Sequence, residues 1–157
     1  MNFPTVHGSN LLRQKLTLPE DFQGKLNIVF VPFYQWQQME VNSWIAFVQD
    51  LEKRNTGLFY YELPTIEERN ILSKIFINEG MRAGIPNQTS RERTITLYLD
   101  KAAFRCSLEM PDEEHIYVLL VDRMGNVLYS LRGGFTLQTG EGLSQAVRQF
   151  SAALAQG

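Results

Sequence analysis

The sequence holds one cysteine, Cys106, which excludes an intramolecular disulfide and every multi-cysteine metal site. Its two histidines, His7 and His115, are too few for a His-rich metal centre. Long apolar runs are missing as well. The longest, such as Ile116 to Val121, have the length of a strand and fall far short of a membrane span, so direct membrane insertion is not expected. Neither sign of charge dominates: 15 basic and 17 acidic residues give a formal charge of -2. They are mixed along the chain, leaving no basic stripe for nucleic acid and no polybasic tail for a lipid surface. The start, "MNFPTVHGSNLL", has neither the basic and apolar segments of a secretory signal nor the arginine-rich pattern of a transit peptide. A soluble protein of a reducing compartment is expected, in the cytoplasm, or in an organelle matrix if a presequence has been removed.

What is present is an ordinary globular composition, 44% hydrophobic and 20% charged over 157 residues. This suits a single domain over residues 1–157 with a substantial core. Four short stretches rich in β-branched and aromatic residues read as strands: "LNIVFVPF" (26–33), "LFYYEL" (58–63), "TITLYL" (94–99) and "IYVLLVD" (116–122). The last is apolar at nearly every position, as in a central strand covered on both faces. A fifth, "VLYSLR" (127–132), follows "RMGN" and closes a hairpin. Tyr60 and Tyr61 must point to opposite faces of their strand, so at least one belongs to the core.

Helical periods alternate with the strands. Trp44, Val48 and Leu51 share one face of a helix from Val41 to about Asn55, ended by Gly57. In "TIEERNILSKIFINEGMRAG", Thr65 and Glu68 have capping-box spacing ahead of an apolar face of Ile71, Leu72, Ile75 and Phe76. "DKAAFRCSLEM" (100–110) reads as a short helix stopped by Pro111. The final helix is expected to bury Leu143, Val147, Phe150 and Leu154. Residues 1–25 form a lead-in hairpin or loop containing Pro19 and Gly24. The order predicts an α/β protein with a central mixed sheet and helices on both faces.

The stretch "FPTVHGSNLLRQKLTLPEDFQGKLNIVFVPF" resembles the lead into a thioredoxin-like or peroxiredoxin-like domain. "IYVLLVDRMGNVLY" is similar to the closing hairpin of that superfamily. The resemblance implies the thioredoxin-like three-layer fold, with residues 94–99 as an insertion. It also exposes two departures. Cys-x-x-Cys falls on Trp36, Gln37, Gln38 and Met39. In the peroxiredoxin register Pro32 matches, but the threonine falls on Trp36 and the reactive cysteine on Met39. A thioether has no thiolate to attack a disulfide or a peroxide. The cis-proline that opens the hairpin strand falls on Ile116.

A closer resemblance is to the assembly chaperones of the mitochondrial ATP synthase Fo sector, which share this fold without its cysteines. It is carried by "VPFYQWQQMEVNSW", "IYVLLVDRMG" and "LDKAAFRCSL", spans roughly residues 3 to 150, and departs at "VLYSL". It implies a redox-inactive binding or assembly module rather than an enzyme, needing no cofactor or metal. Its partner would be a protein, such as a hydrophobic subunit of a membrane complex.

The candidate contact surface comprises Tyr34, Gln35, Trp36, Gln37 and Met39, with the edge at His115 and Ile116. Trp, Tyr and Met are favoured at interfaces, although the aromatics could equally plug the vacated pocket. A homodimer burying the same patch is a further alternative. The enzymatic rival is a peroxiredoxin-like or thiol-dependent oxidoreductase using Cys106, beside Arg105. A lone thiol is more often a small hydrophobe or an inert surface group. "PDEEH" (111–115) reads as a solvated loop rather than an acid/base pair or a cation site. "RGGF" (132–135) lacks the Lys-Ser/Thr successor of a phosphate loop and reads as the release of an edge strand. Asp122 with Gly125 reads as turn chemistry.

Overall fold

The computed structural model describes residues 1–68 and 92–156. Its elements in chain order are β1 (Val6–Asn10), β2 (Lys15–Leu18), β3 (Leu26–Val31), α1 (Gln38–Arg54), β4 (Leu58–Glu62) and β5 (Thr65–Glu67). After these come β6 (Ile95–Leu99), α2 (Lys101–Ser107), β7 (Tyr117–Asp122), β8 (Val127–Arg132) and α3 (Leu137–Gln156). A 3-10 turn, Gln35–Gln37, joins β3 to α1.

The central sheet runs β4-β3-β7-β8. Strands β3 and β4 are parallel, as a crossover through α1 requires, and β7 is antiparallel to both β3 and β8. Every residue of β3 is buried, and its alternation supplies two cores at once. Ile28 and Phe30 join Trp44, Val48 and Leu51 of α1 and Leu143 and Val147 of α3 on one face. Val29 and Val31 join Ile95 and Leu97 of β6 and Phe104 of α2 on the other. Helices therefore cover both faces of a mixed sheet. Tyr61 and Tyr60 are both buried, one in each core, which is the outcome that opposite-facing neighbours require.

The extra strand at 94–99 forms β6 in a second sheet of order β2-β1-β6-β5, with the lead-in hairpin, and Thr94 bridges to Glu62 of the central sheet. Several expectations are corrected. Thr65 does not cap a helix; it lies in β5, and its hydroxyl donates to the Leu63 carbonyl at 2.9 Å. The apolar face expected from Ile71 to Phe76 lies outside the described residues. Helix α1 begins at Gln38, ahead of Val41. In α3, Leu143 and Val147 are fully buried and Phe150 packs on the core, whereas Leu154 is 46% exposed, lining an open cleft with Leu26 and Leu58.

Local chemistry fixes the connections. Asp100 caps α2 by accepting from the Ala103 N–H at 3.1 Å. Asp122 accepts from the N–H groups of Met124 and Asn126, both at 2.9 Å, and Gly125 takes φ +88°. That is the turn role expected of "DRMGN". No helix among the described residues is long and apolar enough to cross a membrane.

Candidate functional site

The chain leaves β3 at Val31 and reaches α1 through Tyr34 and the 3-10 turn. Tyr34 is extended, at φ -139° and ψ 150°, and no side chain caps the turn. The result is an outward-facing corner. Tyr34, Trp36 and Met39 are 47%, 61% and 80% exposed, so their rings and thioether do not fill a pocket. The Tyr34 and Trp36 rings lie parallel, 7° apart in plane with centroids 6.3 Å apart. Gln35 is exposed beside them.

Two residues expected on this surface are not there. Gln37 is fully buried. Its Oε1 accepts from the Phe33 N–H at 2.7 Å, and its Nε2 donates to the Glu113 carbonyl at 2.6 Å. It is the bracket that joins the corner to the loop before β7. Ile116 is fully buried in the α1 core, and its N–H donates to Glu40 Oε1 at 3.2 Å. His115 is exposed, with Nδ1 2.9 Å from Glu40 Oε2. Glu40, in the first turn of α1, thus ties the helix start to the β7 edge.

"PDEEH" is a loop with Pro111, Glu114 and His115 exposed, and its carboxylates are paired. Glu113 is an ion-pair hub: Lys101 Nζ lies 3.3 Å from Oε1, and Arg105 Nε lies 2.9 Å from Oε2. Lys101 also donates to the Phe33 carbonyl at 3.1 Å and sits 4.2 Å from the centre of the Tyr34 ring. Arg132 pairs with Asp112 at 3.2 Å and with Glu114 at 3.4 Å. Lys101 and Arg105 stand four apart on α2, one face of a helix, and both project to the carboxylate beneath Tyr34.

This hub sets the local ionisation. Burial alone would raise the Glu113 carboxyl, but the Tyr34 hydroxyl and the Lys101 and Arg105 cations outweigh it and hold the carboxyl low. The hydrogen bond to Glu113, and then burial, push the Tyr34 phenol up. On the other flank, burial pushes the Glu62 carboxyl up. The Gln38 amide, donating to Glu62 Oε1 at 3.0 Å, only partly opposes this.

A depressed carboxyl contributes stability that is complete above its ordinary value, near 4.5, and is lost as pH falls through the folded value. Glu113→Gln is therefore expected to be less stable than the wild type at about pH 6, with a smaller gap at about pH 3. Urea unfolding at both pH values measures it. A gap unchanged with pH would show that the hub carries no net charge stabilisation. Comparing variants cancels the opposite contribution of Glu62.

The remaining candidates fall outside the corner. Cys106 is a free, exposed thiol on α2. The "RGGF" glycines dock the chain onto α1: Trp44 Nε1 donates to the Gly133 carbonyl at 3.0 Å, and the Phe135 N–H donates to Ser43 Oγ at 2.9 Å. A Cβ on Gly134 would stand 3.2 Å from Ser43 Oγ, so glycine permits that approach. Among the described residues, no three His, Cys, Asp or Glu side chains converge as a metal site.

No protein-family model matches the sequence, and no curated relative matches it. Solved structures do match over nearly the whole chain. BsSco, a member of the Sco family of cytochrome c oxidase assembly proteins, is 14% identical with a TM-score of 0.66, covering 96% of this chain and 94% of that one. Copper-bound yeast Sco1 is 13% identical with a TM-score of 0.60, covering 99% and 94%. The exposed lipoprotein thioredoxin Etrx1 of Streptococcus pneumoniae is 10% identical with a TM-score of 0.59, covering 93% and 99%. At such identities the likeness speaks to architecture: the chain has the thioredoxin-like fold.

Proposed function

We propose that this protein is a redox-inactive thioredoxin-like binding module, and that it holds a protein partner on the corner formed by Tyr34, Trp36 and Met39. The observation that carries the reading is the exposure of three large apolar side chains at adjoining positions, on a scaffold braced from below by Gln37 and Glu113. Scattered exposed hydrophobics need no explanation, but a contiguous set on a braced corner marks an interaction surface. An ordered surface binds with less loss of entropy than a mobile one.

Copper cargo, suggested by the copper-bound yeast structure, fits the donor set poorly. The corner offers one thioether and the Nε2 of His115, whose Nδ1 meets Glu40, and no thiolate. An assembly role is the form of binding that the sequence resemblance to the ATP synthase chaperones implies. The partner would then be a hydrophobic subunit of a membrane complex. Thiol chemistry through Cys106 would have to work on α2, away from the exposed aromatic corner.

The test is quantitative affinity capture with the full chain. Trp36→Ala and Met39→Ala should each weaken the principal captured interaction at least about tenfold, as truncation of interface anchors does, with thermal stability unchanged. Cys106→Ser should leave it intact. Capture unaffected by the Trp36→Ala/Met39→Ala pair would refute the corner as the contact surface. Loss of capture with Cys106→Ser would favour thiol chemistry.

A further inference from the structure

Among the described residues, the charges around the corner are not balanced. Asp112, Glu113 and Glu114 absorb the nearby cations Lys101, Arg105 and Arg132. Glu40 and Glu62 remain. Glu40 is met by His115 and the Ile116 N–H, and Glu62 by the neutral Gln38 amide. Among the described residues, no lysine or arginine pairs with either one.

Their placement follows from the first turn of α1. Gln38, Met39 and Glu40 are consecutive, so their side chains fan out around the helix. Met39, 80% exposed, stands in the chain between Gln38, which meets Glu62, and Glu40, which meets His115. Trp36 and Tyr34 continue the apolar surface from there. Glu62 is the more demanding of the two carboxylates, being half-buried at the end of β4. Among the described residues its one hydrogen-bond donor is the neutral Gln38 amide, and an arriving cation would restore what burial removed.

We propose that the corner takes a protein segment in which a lysine or arginine adjoins an apolar side chain, the apolar group lying on Trp36 and Met39 and the cation reaching Glu62. This deepens the binding-module reading and rests on it. The same charge pattern disfavours the other occupants. Two copies meeting through this face would set Glu40 and Glu62 of each against like charge, and an anionic lipid surface or nucleic acid would be repelled.

The experiment pans a displayed random dodecapeptide library on the immobilised full chain and measures selected synthetic peptides by titration. Enrichment of Lys or Arg beside apolar residues is expected. Glu62→Gln should weaken these peptides by about tenfold, with the affinity difference shrinking at high salt. The substitution is isosteric and keeps a partner for Gln38, so the melting temperature should not fall.

Peptides enriched in apolar residues without a basic preference, or insensitive to Glu62→Gln, would overturn the cation proposal while leaving the corner as a binding surface. Peptides insensitive to Trp36→Ala would overturn the corner itself. Two further results would each overturn the proposed occupant: a dimer abolished by Trp36→Ala, and a blue shift of Trp36 emission on 3:1 phosphatidylcholine–phosphatidylserine vesicles. Trp44→Phe serves as the background for the emission measurement.

Discussion

Trp44→Ala is expected to lose about 3–5 kcal/mol of folding stability, the range for removing a large buried aromatic side chain. Trp44 is fully buried and joins three parts of the protein. Its ring meets Phe30 of β3, Phe47 of α1 and Phe135 after β8, with centroids 6.2, 6.1 and 5.3 Å away. Its indole N–H satisfies the Gly133 carbonyl at 3.0 Å. Truncation would open a void between helix and sheet and orphan that carbonyl, both of which cost stability.

Urea unfolding followed by far-UV circular dichroism measures the change, and a loss under about 1.5 kcal/mol would show that the surrounding rings collapse into the space. Trp44→Phe is a milder form of the same change. It keeps a six-membered ring but removes the donor with the pyrrole part of the indole, so about 1–2 kcal/mol is expected. Trp36 and Trp44 are the two tryptophans of the chain, so Trp44→Phe also leaves Trp36 as the lone reporter of the corner.

The parts of this fold that can be read from the sequence are those whose signal is local. The period of Trp44, Val48 and Leu51 places the face of α1, and the adjacency of Tyr60 and Tyr61 places one ring on each side of β4. "DRMGN" announces its turn because a side-chain carboxylate and a glycine act within five residues. The corner is legible as a junction, since an apolar strand running into a helix is a local event too.

Its internal bracing is not. Gln37 sits in "YQWQQM", where polarity suggests solvent, and its donor target is the Glu113 carbonyl, 76 residues away. Nothing in the run distinguishes it from the exposed Gln35. "PDEEH" reads as solvated because charge runs usually are. The overlooked clue is Lys101 and Arg105 at helical spacing just upstream, a matched pair of cations for one carboxylate. The second sheet is obscured by the brevity of β2 and β5, four and three residues long. Strands that short carry too little alternation to stand out. Leu154 continues the period of α3 but faces an open cleft beside Leu26 and Leu58, which periodicity alone does not reveal.

Gln37→Leu is expected to destabilise the protein by about 2–4 kcal/mol, because it strands two buried backbone groups at once. The Phe33 N–H would lose its acceptor and the Glu113 carbonyl its donor. The apolar replacement has similar bulk, so the loss reports unsatisfied polar groups rather than a cavity. Gln37→Glu sharpens the assignment. The carboxylate can still accept from Phe33, but it has no proton for the Glu113 carbonyl and would set negative charge against it. Only the protonated acid supplies both bonds, so its deficit relative to wild type should grow as pH rises and shrink as pH falls.

The functional consequence runs through Trp36, which lies one residue from Gln37 in the same turn. With the bracket gone, the Tyr34–Trp36 stack loses its floor. In the Trp44→Phe background, Gln37→Leu should then lower the fluorescence anisotropy of Trp36 under conditions where the protein remains folded. Binding at the corner should weaken in the same variants, since a surface that must be ordered on contact binds less tightly than one already ordered. Unchanged anisotropy with full loss of stability would confine Gln37 to the fold. Both changes together would make it the residue that holds the corner ready for a partner.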